Sequence, residues 1–285
     1  MPNSIFSIYK PVGISSFKVL SDVKKFFNTK KVGHMGTLDP LAEGILPVAV
    51  GKYTKLISQI NLSPKVYFVS VFVGLNSETL DSEGVDLSNL PKIDCNLSLK
   101  EVATVLDGML GSIDQVPPLY SALKVNGKRL YEYARSEGDN LPEIKSRKVD
   151  FFNYSDLNID GQIIKFRLSV GNGFYVRSLV RDLASELGVD AFMLSLVREA
   201  VGPFNLQNVT EIDQIESLDL DTVLPDCLLY ELDDQQFKNI ENGNPLMVED
   251  CDFLPQSKLI LKYNSQPVAF AEYDEGKISI IRLFI

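Results

Sequence analysis

Three glycines and a proline shape the loop Gly33-His34-Met35-Gly36-Thr37-Leu38-Asp39-Pro40-Leu41-Ala42-Glu43-Gly44, and within it Asp39 stands between Leu38 and Pro40. The proline biases Asp39 toward an extended backbone and removes one amide donor beside it. An unperturbed Asp titrates at about 3.9, so a carboxylate posted there is ionised at neutral pH and needs no base to act as a nucleophile. A sugar carbon is a fit target. Retaining glycosidases pair such a nucleophile with an acid roughly 5 Å away. The other acid of this loop is Glu43, which nothing in the sequence obliges to face the same way. One carboxylate without an acid partner suits a reaction that does not protonate an alkoxide leaving group. The competing reading is the ordinary fate of an Asp in a Gly/Pro loop, a turn or cap residue.

Few other residues offer chemistry. His34 is the only histidine and Trp is absent, so a Ser-His-Asp hydrolase or a multi-histidine metal site would have to run through this one side chain. Cys95, Cys227 and Cys251 are too few and too far apart for a zinc site or a disulfide framework and read as buried thiols. No Walker A loop, dinucleotide fingerprint or zinc-protease motif occurs, and no cofactor or metal is expected. Arg177 falls in the first turn of a helix, where a cation opposes the macrodipole by ~0.3–1 kcal/mol. Either an anion holds it there, a phosphate or a buried carboxylate such as Asp39, or it is a solvated arginine that tolerates the dipole.

The elements that must position these residues follow from periodicity and turn chemistry. Residues 5–10 read as a strand, and Pro11-Val12-Gly13 turns into a helix capped by Ser15 or Ser16 and running to about residue 28, with Phe17, Leu20, Val23 and Phe27 as its buried stripe. Strands are expected at 45–50 and 65–74, the second buried on both faces. Ser98 and Glu101 make a capping box for a helix that Gly111 stops. Strands near 148–159 and 162–170 precede Gly171-Asn172-Gly173, which opens a helix with Val176, Leu179, Val180, Leu183 and Leu187 on its apolar face and Gly188 beyond its end. A helix near 233–241 and strands near 258–263, 268–273 and 277–284, with turns at Asn264-Ser265 and Glu275-Gly276, make a small β-rich tail. The irregular mixture favours an α+β fold over a doubly wound sheet.

The length of 285 residues suits two domains, and the net charge of −10 would by itself argue against a nucleic-acid partner. The charge is divided unevenly. Residues 1–210 carry 23 basic and 22 acidic side chains, residues 211–285 carry 5 and 16, and residues 1–60 have 8 against 3. A basic stretch also covers residues 119–135. The acidic excess therefore belongs to the tail, whose deletion is expected to leave catalysis standing. No apolar run approaches the ~18 residues of a membrane span and no signal-peptide core opens the chain, so a soluble, cytoplasmic protein is expected.

Four blocks carry a resemblance. Lys10-Pro11-Val12-Gly13-Ile14-Ser15-Ser16, the loop from Gly33 to Pro47, Lys65-Val66-Tyr67, and Gln115-Val116-Pro117-Pro118-Leu119-Tyr120-Ser121-Ala122-Leu123-Lys124-Val125-Asn126-Gly127 resemble, over nearly the whole chain, the bacterial tRNA pseudouridine-55 synthases, the TruB family. Gly173-Phe174-Tyr175-Val176-Arg177-Ser178-Leu179 and Leu196-Val197-Arg198 through Val201-Gly202-Pro203-Phe204 complete the match.

The resemblance implies isomerisation of one uridine in the T-loop of tRNA: the base leaves its ribose, turns and rejoins through carbon 5. It implies a mixed, mainly antiparallel catalytic domain over residues 1–228 and a small PUA-like domain over 229–285, in a monomer without protein partners or membrane. Asp39 would be the nucleophile, attacking the ribose or the pyrimidine ring. Uracil leaves as a stabilised anion, which removes the need for an acid partner. Arg177 would keep Asp39 ionised and aimed, and Tyr67 would stack on the base and accept or relay a proton. Tyr175 and Leu196 would line the substrate pocket, His34 would fill the space of the flipped base, and Lys10 would hold substrate by supporting the loop. Departures from the family pattern are Phe174 for threonine, Val170-Gly171 for cysteine and serine, Phe192 for histidine, and a loosened threonine–aspartate motif at Ser77-Glu78-Thr79-Leu80-Asp81. Two other classes stay open on the sequence, a tRNA-binding or tRNA-folding protein without catalysis and an RNA N-glycosidase.

Overall fold

A long sheet carries the first three quarters of the chain. The computed structural model describes residues 3–93, 96–134, 142–248 and 251–285, so Cys95 and Arg135 lie outside the described residues. In chain order the elements begin with β1 (Ser4–Lys10), α1 (Ser16–Phe26), β2 (Val32–His34), β3 (Glu43–Val50) and β4 (Lys65–Val73). They continue with α2 (Leu99–Gly108), β5 (Gly111–Gln115), β6 (Lys124–Val125), β7 (Lys128–Arg129), α3 (Leu130–Ala134), β8 (Arg147–Asp160) and β9 (Ile163–Val170). Next come α4 (Val176–Leu187), β10 (Ala191–Val201), β11 (Phe204–Asn205), β12 (Val209–Thr210) and α5 (Leu220–Val223). The tail holds β13 (Leu228–Glu231), α6 (Asp234–Glu241), β14 (Leu246–Met247), β15 (Ser257–Tyr263), β16 (Gln266–Asp274) and β17 (Lys277–Leu283).

Among the described residues the main sheet runs β12-β1-β3-β10-β4-β9-β8-β5, with β2 beside β3 and β11 beside β10. Its pairs are antiparallel except β1–β12 and β3–β10. Local signals explain the helices. Ser15 caps α1 by accepting from the Lys18 amide, and Ser98 and Glu101 form the full capping box of α2. Gly188 ends α4 at φ +66°, the left-handed conformation that only glycine adopts freely. Helices α2 and α4 cover one face of β4, β8, β9 and β10 in a core around Val102, Leu106, Val180, Leu183, Phe166 and Val69. Helix α1 packs Val19, Leu20 and Val23 on Phe6, Leu46 and Val48.

Two expectations about packing are corrected. Phe17 is 70% exposed, and Val19 takes its place in the buried stripe because the helix presents positions 16, 19, 20 and 23 to the sheet. Cys227 and Cys251 are half-buried rather than fully enclosed, with burial pushing the Cys227 thiol up to about 11.

The tail forms a second sheet, β13-β15-β16-β17-β14. Its hairpins turn where expected: Asn264 and Ser265 sit at φ +51° and +61°, Glu275 and Gly276 at +44° and +81°. It does not stand apart from the body. Ile260, Phe270 and Phe284 share one apolar cluster with Tyr53, Leu56, Ile60 and Leu224, and the Tyr53 and Phe284 rings meet edge to face at 5.2 Å. Deleting the acidic tail would strip this cluster, so truncation destabilises the body whatever the tail's part in binding. Reversing exposed tail charges is the cleaner test of the acidic excess. Among the described residues no helix is long and apolar enough to cross a membrane.

Candidate active site

The backbone on both sides of Asp39 is fixed by groups from other parts of the chain. Ser16, buried at the start of α1, donates from Oγ to the Leu38 carbonyl at 3.0 Å and accepts from the Leu38 amide at 2.9 Å. The Gly13 amide donates to the Pro40 carbonyl at 2.8 Å. Arg198 of β10 donates to the carbonyls of Gly36 at 2.9 Å, Thr37 at 3.4 Å and Ile45 at 2.9 Å. Gly44 lets β3 run directly against β10: it sits at φ +111°, and a Cβ there would collide with the Arg198 backbone. The loop is thus pinned on both sides of Asp39 while the carboxylate itself points outward.

That carboxylate meets Arg177. Arg177 Nη2 lies 2.7 Å from Asp39 Oδ2, and Nη1 lies 3.3 Å from Asp81 Oδ2. The guanidinium also donates to the carbonyls of Thr79 at 3.1 Å and Tyr120 at 3.0 Å. A cation in the first turn of α4 is therefore held by two carboxylates. Of the alternatives open in the sequence, the carboxylate accounts for Arg177. Burial raises the Asp39 pKa, and Arg177 opposes that rise while Asp81 adds to it. The protein crowds the carboxylate, yet 40% of its side-chain surface opens to the cavity. Water therefore tempers the rise in the free protein and is lost when a ligand fills the space.

A cavity of about 400 Å³, within the ~300–1,000 Å³ of small-ligand sites, opens in front of Asp39. Tyr67, Tyr175, Arg177 and Leu196 line it together with Asp39, so five of the seven residues singled out in the sequence converge. Gln115, itself buried, clamps the Tyr175 backbone by donating to its carbonyl at 3.1 Å and accepting from its amide at 2.8 Å. Phe174 packs on Phe151 with ring centroids 5.9 Å apart and lines the cavity, whereas Phe192 is fully buried against Phe72 at 5.5 Å and does not reach it.

Two expected substrate contacts lie elsewhere. Lys10 is fully buried and lines no part of the cavity; its ammonium donates to the carbonyls of Pro11 and Ile14 at 2.8 Å and Pro40 at 3.3 Å. It braces the Asp39 loop from behind, the support that the resemblance implies, and makes no contact with the cavity, because three carbonyls consume its donors. The Lys10→Met variant leaves those acceptors unpaired, at about 1–3 kcal/mol each at most, and loosens Pro40 next to Asp39. We expect its kcat to fall roughly 10–100-fold with KM nearly unchanged, measured by steady-state kinetics alongside the melting temperature. His34 is half-buried on β2, opposite Val48, and is not among the cavity-lining residues. Burial first, then the Arg198 charge, lowers its pKa, and its Nδ1 finds no partner among the described residues. A neutral ring of this kind can stack.

Asp81, Arg198, Lys65 and Ser121 each sit in one of the motifs quoted above but carry no assigned role there. Asp81 is fixed by the Thr79 hydroxyl at 2.6 Å and the Glu83 amide at 3.0 Å. Lys65 and Ser121 line the cavity, and the buried Ser121 hydroxyl has no hydrogen-bond partner among the described residues. The signal was there for Arg198 and Asp81: charged residues next to apolar strand and loop positions. Among the described residues no group of three His, Cys, Asp or Glu gathers as a metal site.

The family model described as TruB family pseudouridylate synthase (N terminal domain) matches residues 24–176. The tRNA pseudouridine synthase B of Clostridium novyi (strain NT) is 43% identical over 213 residues, covering 75% of this chain and 72% of that protein. Its namesake in Clostridium acetobutylicum is 36% identical over 294 residues, covering 99% of both. Among solved structures, the Cbf5-Nop10-Gar1 complex matches with a TM-score of 0.69 at 21% identity, over 99% of this chain and 85% of that one. The archaeal box H/ACA sRNP Nop10-Cbf5 complex matches with 0.67 at 19% identity, over 99% and 86%. At that identity the structural likeness speaks for the fold, and it agrees with the mixed sheet and the small β-rich, PUA-like tail.

Proposed function

The chain belongs to the TruB family of pseudouridylate synthases, and from that premise we propose that it isomerises the T-loop uridine of tRNA, position 55, to pseudouridine, with Asp39 as nucleophile. The observation that carries this reading is the Asp39–Arg177 pair at 2.7 Å, held at the rim of a nucleotide-sized cavity that Tyr67, Tyr175 and Leu196 also line.

The target uridine is flipped into the cavity, at a cost of a few kcal/mol that stacking on Tyr67 and the wedging of His34 offset. Arg177 aims the Asp39 carboxylate and keeps it ionised once the base has displaced water, where a charge-assisted pair is at its strongest. Asp39 adds to the ribose or to the pyrimidine ring. The glycosidic bond breaks with its electron pair on the uracil, so no acid is required. The base turns against Tyr67 and Leu196, rejoins through carbon 5 and loses the carbon-5 proton. We further assign catalysis to residues 1–228 and a PUA-like role to 229–285, and we place the enzyme in the cytoplasm, where tRNA is processed. Phosphate contacts by the basic face of residues 1–60 make binding fall with salt.

Position is tested by carbodiimide treatment and primer extension on an unmodified tRNA transcript. We expect one stop, at the T-loop uridine, which disappears when that uridine is replaced by cytidine. A stop at another uridine overturns the T-loop assignment.

A further inference from the structure

Arg198 is 1% exposed, and none of the ion pairs among the described residues involves it. A guanidinium so enclosed is costly unless its charge is answered. Three loop carbonyls, of Ile45, Gly36 and Thr37, take part of its donor capacity. The other polar group close enough to act on it is the Tyr67 hydroxyl. The backbone dictates this meeting: Arg198 and Tyr67 are direct partners across the β10–β4 pair, and both line the cavity. Irregularities in register at Met193/Ser195 and Arg198/Ala200 bracket the stretch. Such bulges re-aim side chains next to active sites. Here the second one sends Glu199 outward to Arg167, at 2.6 Å, and Arg198 inward.

The neighbouring basic groups point the same way. Lys10, His34 and Lys65 all have lowered pKa values, burial first, with the Arg198 charge contributing to each. The acidic groups of the neighbourhood are otherwise engaged, Asp39 and Asp81 with Arg177 and Glu43 with Lys10 and Tyr9. Burial lowers the Arg198 pKa as well, with Tyr67 opposing the shift, but a guanidinium starts so high that it keeps its proton where the amines and imidazole can lose theirs.

We propose that Arg198 is a positioning residue for Tyr67, holding its hydroxyl at the cavity wall and supplying the opposing charge while the Tyr67 oxygen takes the proton from carbon 5 of the rejoined base. This rests on the reading of the cavity as the isomerisation site. After the new bond forms, carbon 5 is tetrahedral and carries both the ribose and its hydrogen. The C5–H bond breaks, its electron pair forms the C5–C6 double bond, and the N1–C6 π pair withdraws onto N1, which takes a proton from water. The carbon-5 proton passes to the Tyr67 oxygen, which has given its own proton to solvent and releases the new one before the next turnover. In between, that oxygen is an anion, and Arg198 is the fixed cation beside it.

The test uses the full chain and tRNA transcripts made with ordinary or carbon-5-deuterated uridine, in single turnover. For Arg198→Lys we expect a rate lower by roughly 10–100-fold, a deuterium effect at carbon 5 clearly larger than in the parent, and tRNA affinity within about threefold. Placing 3-fluorotyrosine, a more acidic phenol, at position 67 recovers much of the rate in the Arg198→Lys background. Arg198→Gln, which retains a donor for Gly36 O but no charge, supplies the same readouts if the lysine variant does not fold. A slower enzyme with an unchanged deuterium effect and no gain from the fluorinated tyrosine would reduce Arg198 to a loop brace and overturn the proposal. Tyr67→Phe separates the two layers. If it leaves rate and deuterium effect as in the parent, the reading of Tyr67 fails; if it alters both while Arg198 variants do not, the failure is that of Arg198 alone.

Discussion

Replacing Asp39 with Asn is expected to abolish turnover, a fall on the order of 10⁴-fold or more in the single-turnover rate, with tRNA affinity changed by less than about threefold. The amide has the shape of the carboxylate but no charge with which to attack. The loop does not depend on that charge for its form, since Ser16, Lys10 and Arg198 pin it through the carbonyls and amide of residues 36–45. Arg177 keeps Asp81 and the Thr79 and Tyr120 carbonyls as partners. The cavity therefore stays open to the flipped base while the chemistry stops. Filter binding and rapid-quench kinetics on the same preparation check both halves, and a variant with near-normal turnover would move the nucleophile elsewhere.

Arg177→Met has the second largest effect, and it acts on rate and stability together. Without the guanidinium, Asp39 and the buried Asp81 face each other with no cation between them. Breaking such a network costs about 3 kcal/mol, the low end of the usual range because Asp39 opens to the cavity. The rate falls roughly 10³-fold, since the attacking carboxylate is neither aimed nor kept ionised. The sign of the pH dependence follows from Asp39. Its folded pKa is already raised by burial, so the native state holds that proton more tightly than the unfolded chain does, and ionising it as pH rises past the ordinary carboxylate range costs stability. Removing Arg177 enlarges that cost. The stability deficit of the variant is accordingly greatest at neutral pH and shrinks as pH falls through the carboxylate range, and the acid limb of its residual activity moves to higher pH. Urea unfolding at two pH values reads the first effect and a pH–rate profile the second; a deficit independent of pH would contradict it.

Elements set by neighbouring residues were legible in the sequence. The Ser98–Glu101 capping box, the Gly188 terminus and the Asn264-Ser265 turn depend on a few adjacent side chains and fall where composition places them. Strand β10 was not, though it lies at the centre of the sheet, beside β3 and β4. Its two irregularities break the alternation that marks a strand, and it carries Arg198 and Glu199 through positions that look like surface. Phe17 misled for the opposite reason: an aromatic at helical spacing is taken for core, but only the placement of the sheet decides which stripe is covered. The site divides the same way. Asp39 showed itself by its loop and Arg177 by opposing a helix dipole, both local anomalies. Asp81 became visible only when the chain brought it to Arg177, and the loop support that the resemblance implies for Lys10 has its physical cause in three carbonyls from two segments.

Conversion of a uridine of tRNA into pseudouridine retains the base on the polynucleotide. The most direct measurement is nucleoside analysis of an unmodified tRNA transcript after incubation with the purified protein, counting uridine, pseudouridine and free uracil. We expect one pseudouridine gained for one uridine lost per transcript and no free uracil. An unchanged nucleoside count would leave a tRNA-binding protein without catalysis, and free uracil with an abasic T-loop would make it an N-glycosidase; either result overturns the isomerisation.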